Sequence, residues 1–167
     1  SPESAERLRG HFAFPDLRRV DDAVANGTRS IDPERPRPLA LFSAERTDYS
    51  LARLAHYTGA RPGDLQSFVL LTNYQRYVDG FVDWARSRLG EDGYEALIEP
   101  GGVVTAADGT ETGTRPSSLP QMPAYHLARP GREGITLINI GVGPSNAKTI
   151  TDHLAVLRPQ CWRMVGH

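Results

Sequence analysis

The chain has 167 residues, 39% of them hydrophobic, which is enough for one domain with a sizeable buried core. Its formal net charge of -1 lacks the basic excess of a nucleic-acid-binding protein, so we expect no nucleic-acid partner. The single cysteine, Cys161, excludes an internal disulfide and a cysteine metal cluster. Because the sequence has neither an apolar run of about 18 residues nor a recognisable signal peptide, we expect a cytoplasmic protein with no membrane partner.

The N-terminal residues are predicted to form an extension that ends in a proline-rich linker. Residues 32–38 contain Pro33, Pro36 and Pro38. Proline fixes φ and lacks a backbone N–H group, so this stretch favours an extended conformation. We therefore place the extension and linker at residues 1–37 and one folded domain at residues 38–167.

The next segment carries helix and strand signals in turn. Apolar residues at helical spacing predict a helix with Thr47 as its N-cap and Gly59 just beyond its end. Residues 68–71 form a short, continuously apolar run, which is typical of a strand buried on both faces of a sheet. A second amphipathic pattern predicts a longer helix from about Tyr74 to Leu89.

Turn signals mark the middle of the chain. The dipeptide Asp108-Gly109 lies between residues 103–105 and 110–112, and this arrangement predicts a polar hairpin. Residues 122–127 are predicted to form a strand, in which Pro123 suits only the start or a sheet edge.

The final segment has the clearest pattern. Residues 135–140 are strongly β-prone, a glycine loop follows, Ser145 can cap a helix, and residues 161–165 form a further short strand. This order is a βαβ unit, so we predict an α/β domain with a mostly parallel sheet flanked by helices. Within the last strand, Cys161 is expected to be a buried, unreactive thiol.

The glycine loop is the first candidate site. Gly141 and Gly143 bring backbone N–H groups to a helix N-terminus, where the helix dipole favours an anion, and Ser145 and Asn146 follow after Pro144. The alternative is an ordinary tight turn in which Ser145 only caps the helix. Asn146 stands where a dinucleotide-binding loop needs a third glycine, which argues against a nicotinamide cofactor.

The second candidate site follows the strand at residues 68–71. Ligands of open α/β sheets bind at the carboxyl ends of strands, where Asn73 and Arg76 come next in the chain. A cation in the first turn of a helix is disfavoured by the helix dipole unless an anion offsets it. The alternative is a solvated Arg76 that pairs with Asp79 or Asp83.

The histidines give no metal site. His56 lies late on its helix, whereas His126 and His153 are expected to be structural or exposed. No pair has the spacing of a zinc-binding helix, so we expect no metal.

Several segments together resemble the bacterial AMP nucleosidases. These are residues 48–54, 56–59, 68–79 and 152–159, and above all residues 134–150, GITLINIGVGPSNAKTI. The resemblance covers roughly residues 38–90 and 121–167.

Those enzymes belong to the nucleoside phosphorylase superfamily, so the resemblance implies a mixed α/β sheet, a homo-oligomer and no cofactor. It implies hydrolysis of the N-glycosidic bond of AMP to adenine and ribose 5-phosphate, with AMP or another purine nucleotide, and phosphate, as ligands. By the same resemblance, Arg76 contacts phosphate and residues 141–146 approach the sugar and phosphate. His56 matches a histidine that reaches into a neighbouring subunit's site.

One departure limits this assignment. In the superfamily, the acid that assists purine departure and the glutamate that holds the ribose hydroxyls come after the point where this sequence stops. We therefore expect residues 38–167 to be the N-terminal portion of a catalytic domain, incomplete at the C-terminus and inactive alone, and we assign no catalytic residue.

Two alternatives remain open. One is a nucleoside phosphorylase of the same superfamily, although Met164 stands where such enzymes tend to carry an arginine. The other is a non-catalytic nucleotide-binding or oligomerisation module.

Overall fold

The computed structural model describes residues 44–166, with side chains from residue 49 onward. The predicted extension and linker, residues 1–37, lie outside the described residues. The described part contains three α-helices: α1 (Ala44–Thr58), α2 (Gln75–Arg88) and α3 (Pro144–Leu154). It also contains seven strands: β1 (Phe68–Thr72), β2 (Ala96–Glu99), β3 (Val103–Ala106), β4 (Glu111–Thr112), β5 (Ala124–Ala128), β6 (Ile135–Asn139) and β7 (Cys161–Val165).

The seven strands form one mixed sheet in the order β4-β3-β2-β5-β6-β1-β7. Strand β1 pairs in parallel with β6 on one side and with β7 on the other. The four other pairings within the described residues are antiparallel. The predicted α/β class and mixed sheet are confirmed, but parallel pairing is confined to three strands instead of extending over most of the sheet. Strands β2, β3 and β4 are joined by short turns, which can connect only antiparallel neighbours.

The sheet is covered by helices on both faces. On one face, α1 and α3 pack against a core that includes Leu54, Leu65, Val69, Leu71, Ile138, Ile150 and Leu154. On the other face, α2 packs against a core of Val78, Phe81, Ala85, Leu97, Tyr125, Leu127 and Leu137. Leu137 and Ile138 are adjacent in β6 but belong to different cores, because successive side chains of a strand point to opposite faces.

Three local expectations differ from the structure. Helix α1 begins at Ala44, so Thr47 lies inside it and is not the N-cap; the residues before Thr47, Ala-Glu-Arg, are themselves good helix formers. Strand β2 was not predicted, yet it pairs with both β3 and β5. Cys161 is exposed instead of buried, because β7 is the edge strand beside β1.

A buried polar network joins the amino end of β6 to β5. Thr136 Oγ1 accepts a 2.8 Å hydrogen bond from the backbone N–H of Gln66 and lies 2.8 Å from His126 Nδ1. His126 is fully buried, and no described residue forms a hydrogen bond with its Nε2. Burial lowers the pKa of His126 from 6.5 to about 4, although the charge of Asp64 opposes the effect. His126 is therefore a structural residue, held neutral in the folded protein.

We predict that His126 makes the protein less stable in acid. In the unfolded chain this histidine takes up a proton near pH 6.5, whereas in the folded protein it does so only near pH 4. Above pH 6.5 His126 is neutral in both states and the free energy of unfolding is not reduced. As the pH falls towards 4, only the unfolded chain binds the proton, so the free energy of unfolding decreases. Compared with His126→Gln, the wild type should lose about 3 kcal/mol across this range in urea denaturation. Parallel pH profiles would contradict the prediction.

Gly134 has no room for a side chain. A Cβ atom there would overlap the carbonyl oxygen of Leu127 and lie 2.7 Å from Gln66 Oε1. Gln66 Oε1 accepts a 3.1 Å hydrogen bond from the backbone N–H of Gly134. Neither this bonded oxygen nor the backbone carbonyl of Leu127 can move away easily. We expect Gly134→Ala to lower the free energy of unfolding by about 2–3 kcal/mol, measured by urea denaturation.

Gly80→Ala provides the matched control. Gly80 lies within α2, and apart from its chain neighbours and the backbone of α2, no described atom lies within 4 Å of the position that its Cβ would occupy. Since alanine is the better helix former, this substitution should raise the free energy of unfolding by up to about 1 kcal/mol. A Gly134→Ala variant as stable as Gly80→Ala would show that the region around Gly134 is loosely packed.

Candidate functional site

The carboxyl ends of three parallel strands meet at one edge of the sheet. Thr72, the last residue of β1, is in register with Asn139 of β6 and with Val165 of β7. The backbone N–H of Ile140 then donates a 2.8 Å hydrogen bond to the carbonyl oxygen of Thr72. The segments that leave β1 and β6 therefore start side by side, and the structure brings the two candidate sites predicted from the sequence to one place.

Asn73 lies between the ends of β1 and β7. Its Oδ1 atom is buried and has no hydrogen-bond partner among the described residues. A Cβ atom placed on Gly166 would lie 3.5 Å from this oxygen, so the end of β7 approaches it closely. Asn73 thus has a buried, unpaired acceptor at the predicted edge.

Arg76 lies in the first turn of α2 and is exposed. Its guanidinium carbon lies 4.9 Å from the ring centroid of Tyr77 and 5.4 Å from that of Tyr74. Its Nη2 donates a 3.3 Å hydrogen bond to Tyr77 Oη. The two rings hold the guanidinium in place. The ion pairs found in residues 49–166 do not include Arg76, so no described carboxylate pairs with its charge. The alternative pairing with Asp79 or Asp83 is not observed.

The glycine loop needs glycine at two positions. Gly141 has φ +62° and Gly143 has φ +113°, both in regions that residues with a side chain rarely adopt. Asn146 Nδ2 donates hydrogen bonds to the carbonyl oxygens of Ile140, at 2.8 Å, and Val142, at 3.5 Å. The Asn146 amide nitrogen therefore serves to close the loop.

Ser145 does not cap α3, contrary to the prediction. Gly143 is the N-cap and Pro144 the first helical residue, and no side chain caps this end. Because proline already occupies the first position, Ser145 falls inside the first turn, where it is exposed. The first turn also contains no acidic residue, so its N–H groups and the helix dipole favour an anion.

Two further residues at this edge of the sheet, Asn139 and Gln75, are not among the predicted site residues. Asn139 Nδ2 donates a 3.3 Å hydrogen bond to Gln75 Oε1, and this bond links the end of β6 to the first turn of α2. Each residue lies at or shortly after the end of a predicted strand. This position could have marked both as candidates.

His56 is not brought into contact with the other candidate residues. It is exposed in the last turn of α1, where its ring meets that of Tyr57 edge to face at 5.4 Å. His153 packs against Tyr57 and Tyr49, and its Nδ1 lies 3.3 Å from Ser50 Oγ. Burial is the main reason that the pKa of His153 is lowered.

Neither a metal cluster nor a spanning helix is found in the part of the chain that the structure describes. There, no three His, Cys, Asp or Glu side chains lie close enough together to hold a metal ion. None of the helices described there has the length and apolar character needed to cross a membrane.

Comparison with known proteins identifies relatives of this chain. It is 48% identical over 166 residues to AMP nucleosidase of Escherichia coli (strain K12), and equally to that of Escherichia coli O157:H7. This chain is a relative of AMP nucleosidase. The match covers 96% of the chain but 34% of each relative, so the chain spans about one third of their length. The resemblance found in the sequence segments is confirmed.

No protein-family model matches the chain. The crystal structure of AMP nucleosidase from Bacteroides thetaiotaomicron VPI-5482 matches with a TM-score of 0.49 and 24% identity, over 72% of this chain and 38% of that chain.

We predict that Gly143 tolerates substitution less well than Gly141. Its φ of +113° is strained for any residue with a side chain, so Gly143→Ala should cost about 1–3 kcal/mol in urea denaturation. Gly141→Asn is the matched control, because asparagine is enriched in the left-handed region where Gly141 lies. Equal losses from both substitutions would show that the loop relaxes around either side chain.

Proposed function

We propose that this chain belongs to an enzyme that hydrolyses the N-glycosidic bond of AMP, giving adenine and ribose 5-phosphate. The observation that carries the proposal is the 48% identity to AMP nucleosidase over 96% of the chain. In this proposal the described residues supply the phosphate-binding and sugar-facing half of the site. The residue that protonates the purine is left unassigned.

Arg76 is proposed to hold the phosphate of AMP. A guanidinium presents a planar set of N–H donors that bind a phosphate through two parallel hydrogen bonds. The position of Arg76 in the first turn of α2 is unfavourable for a cation unless an anion is bound nearby. A bound phosphate would remove that cost and would fix the nucleotide relative to the edge of the sheet.

The glycine loop is proposed to face the phosphate and ribose. Its two glycines let the backbone approach a ligand closely, and the first turn of α3 directs N–H groups towards an anion. Cleavage of a glycosidic bond develops positive charge on the sugar and requires a proton for the leaving base. A ligand anchored through its phosphate has its reacting bond held in one place, which lowers the entropic part of the barrier.

We expect Arg76→Ala to weaken AMP binding to the 167-residue chain by about tenfold or more in isothermal titration calorimetry. The reason is the loss of charge-assisted hydrogen bonds to phosphate. Arg88→Ala is the matched control, because Arg88 lies at the other end of α2 and pairs with Glu91 and Asp92. Unchanged affinity in Arg76→Ala would remove this residue from the phosphate site, and no AMP binding by the wild type would overturn the proposal.

Adenine release is measured on the same samples. The proposal expects the chain to bind AMP without turnover, because it spans 34% of the relatives' length. Adenine release by the pure chain would instead show that the residue that protonates the purine lies within these 167 residues, such as Asp79 or Asp152. Turnover that requires added phosphate would favour a phosphorylase over a hydrolase.

A further inference from the structure

Three hydrogen bonds in series connect α2 to the glycine loop. Gln75 Nε2 donates to Asp79 Oδ1 at 2.9 Å. Asn139 Nδ2 donates to Gln75 Oε1 at 3.3 Å, and the backbone N–H of Gly141 donates to Asn139 Oδ1 at 3.1 Å. We refer to Asp79, Gln75 and Asn139 as the amide relay.

The relay has a fixed direction because of the chemistry of its members. A carboxylate only accepts hydrogen bonds, so Asp79 turns the NH2 group of Gln75 towards itself. The oxygen of Gln75 then faces Asn139 and accepts from its NH2 group, which leaves the oxygen of Asn139 for the N–H of Gly141. Asp79 lies four residues after Gln75 on α2, a spacing that places the two side chains on the same helix face.

We propose that the amide relay consists of positioning residues, which hold the first peptide of the glycine loop and thereby aim the loop at the anion. The proposal rests on the proposed function for the identity of that anion. The N–H of Gly141 is fixed towards Asn139, at the residue where the backbone turns to φ +62°. The relay members act through Gly141 and are not assigned any contact with the nucleotide.

The amide relay also links the glycine loop to the first turn of α2. Gln75 belongs to the first turn of α2, which carries Arg76, whereas Asn139 is the last residue of β6. A hydrogen bond between them fixes the glycine loop relative to the turn that presents the guanidinium. If Asp79 is removed, Gln75 is free to reverse its amide, and Asn139 is then oriented only by its bond from the N–H of Gly141.

The first measurement is the solvent-exchange rate of the Gly141 amide proton, observed by NMR in the 167-residue chain. We expect Asp79→Leu to raise this rate about threefold or more, even though two side chains separate Asp79 from Gly141. Asp79→Glu keeps a carboxylate, which only accepts hydrogen bonds, and should restore the wild-type rate. Asp83→Leu, one turn further along the exposed face of α2, is the matched control and should leave the rate unchanged.

The second measurement is AMP affinity in the same variants. Asp79→Leu should bind AMP about threefold more weakly, with Asp79→Glu and Asp83→Leu close to the wild type. An unchanged Gly141 exchange rate in Asp79→Leu, or equal increases in Asp79→Leu and Asp83→Leu, would overturn the relay. If the wild type fails to bind AMP, the proposed function fails, while the exchange rates still decide whether Asp79 controls the loop.

Discussion

The backbone N–H of Ile140 donates a 2.8 Å hydrogen bond to the carbonyl oxygen of Thr72, one residue beyond the paired ends of β6 and β1. This bond extends the parallel register past the strands, so the chain leaves both strands at the same level. The glycine loop and the turn that carries Arg76 can then lie next to each other. Without that register the two segments would have no fixed relation, since they lie far apart in the sequence.

The register in turn depends on a sheet that is covered on both faces. Strand β6 contributes Leu137 to the core beneath α2 and Ile138 to the core beneath α1 and α3, and both residues are almost fully buried. Slipping the pairing by one residue would exchange the faces of every side chain in the strand, which the two filled cores prevent. The same cores bury Val78 of α2 and Ile150 of α3, and so hold the two helices whose exposed first turns carry the candidate site.

Much of this architecture follows from local sequence signals. The helix predicted from Tyr74 to Leu89 is confirmed as α2, because its apolar periodicity is strong and Gly90 follows it. The polar hairpin around Asp108-Gly109 is confirmed as β3 and β4, with the backbone N–H of Ala106 bonded to the carbonyl of Thr110 at 2.9 Å. Ser145 was assigned wrongly as a cap, because a preferred capping residue type says nothing about where the glycine and proline before it end the loop.

The sequence by itself determined most of the segments that become helices and strands, though not β2. It also determined the glycines of the loop and the place of Arg76 after a strand, because periodicity and turn chemistry are local properties. Only the tertiary structure decided that β6 and β7 flank β1. It also decided that Gln75 and Asn139 share a hydrogen bond although they lie 64 positions apart. Finally, it decided that Cys161 is exposed and His126 is buried. These features depend on which strands pair with which. Pairing between distant segments leaves no periodic trace in either of them, and it is set by the two cores that the folded sheet must fill.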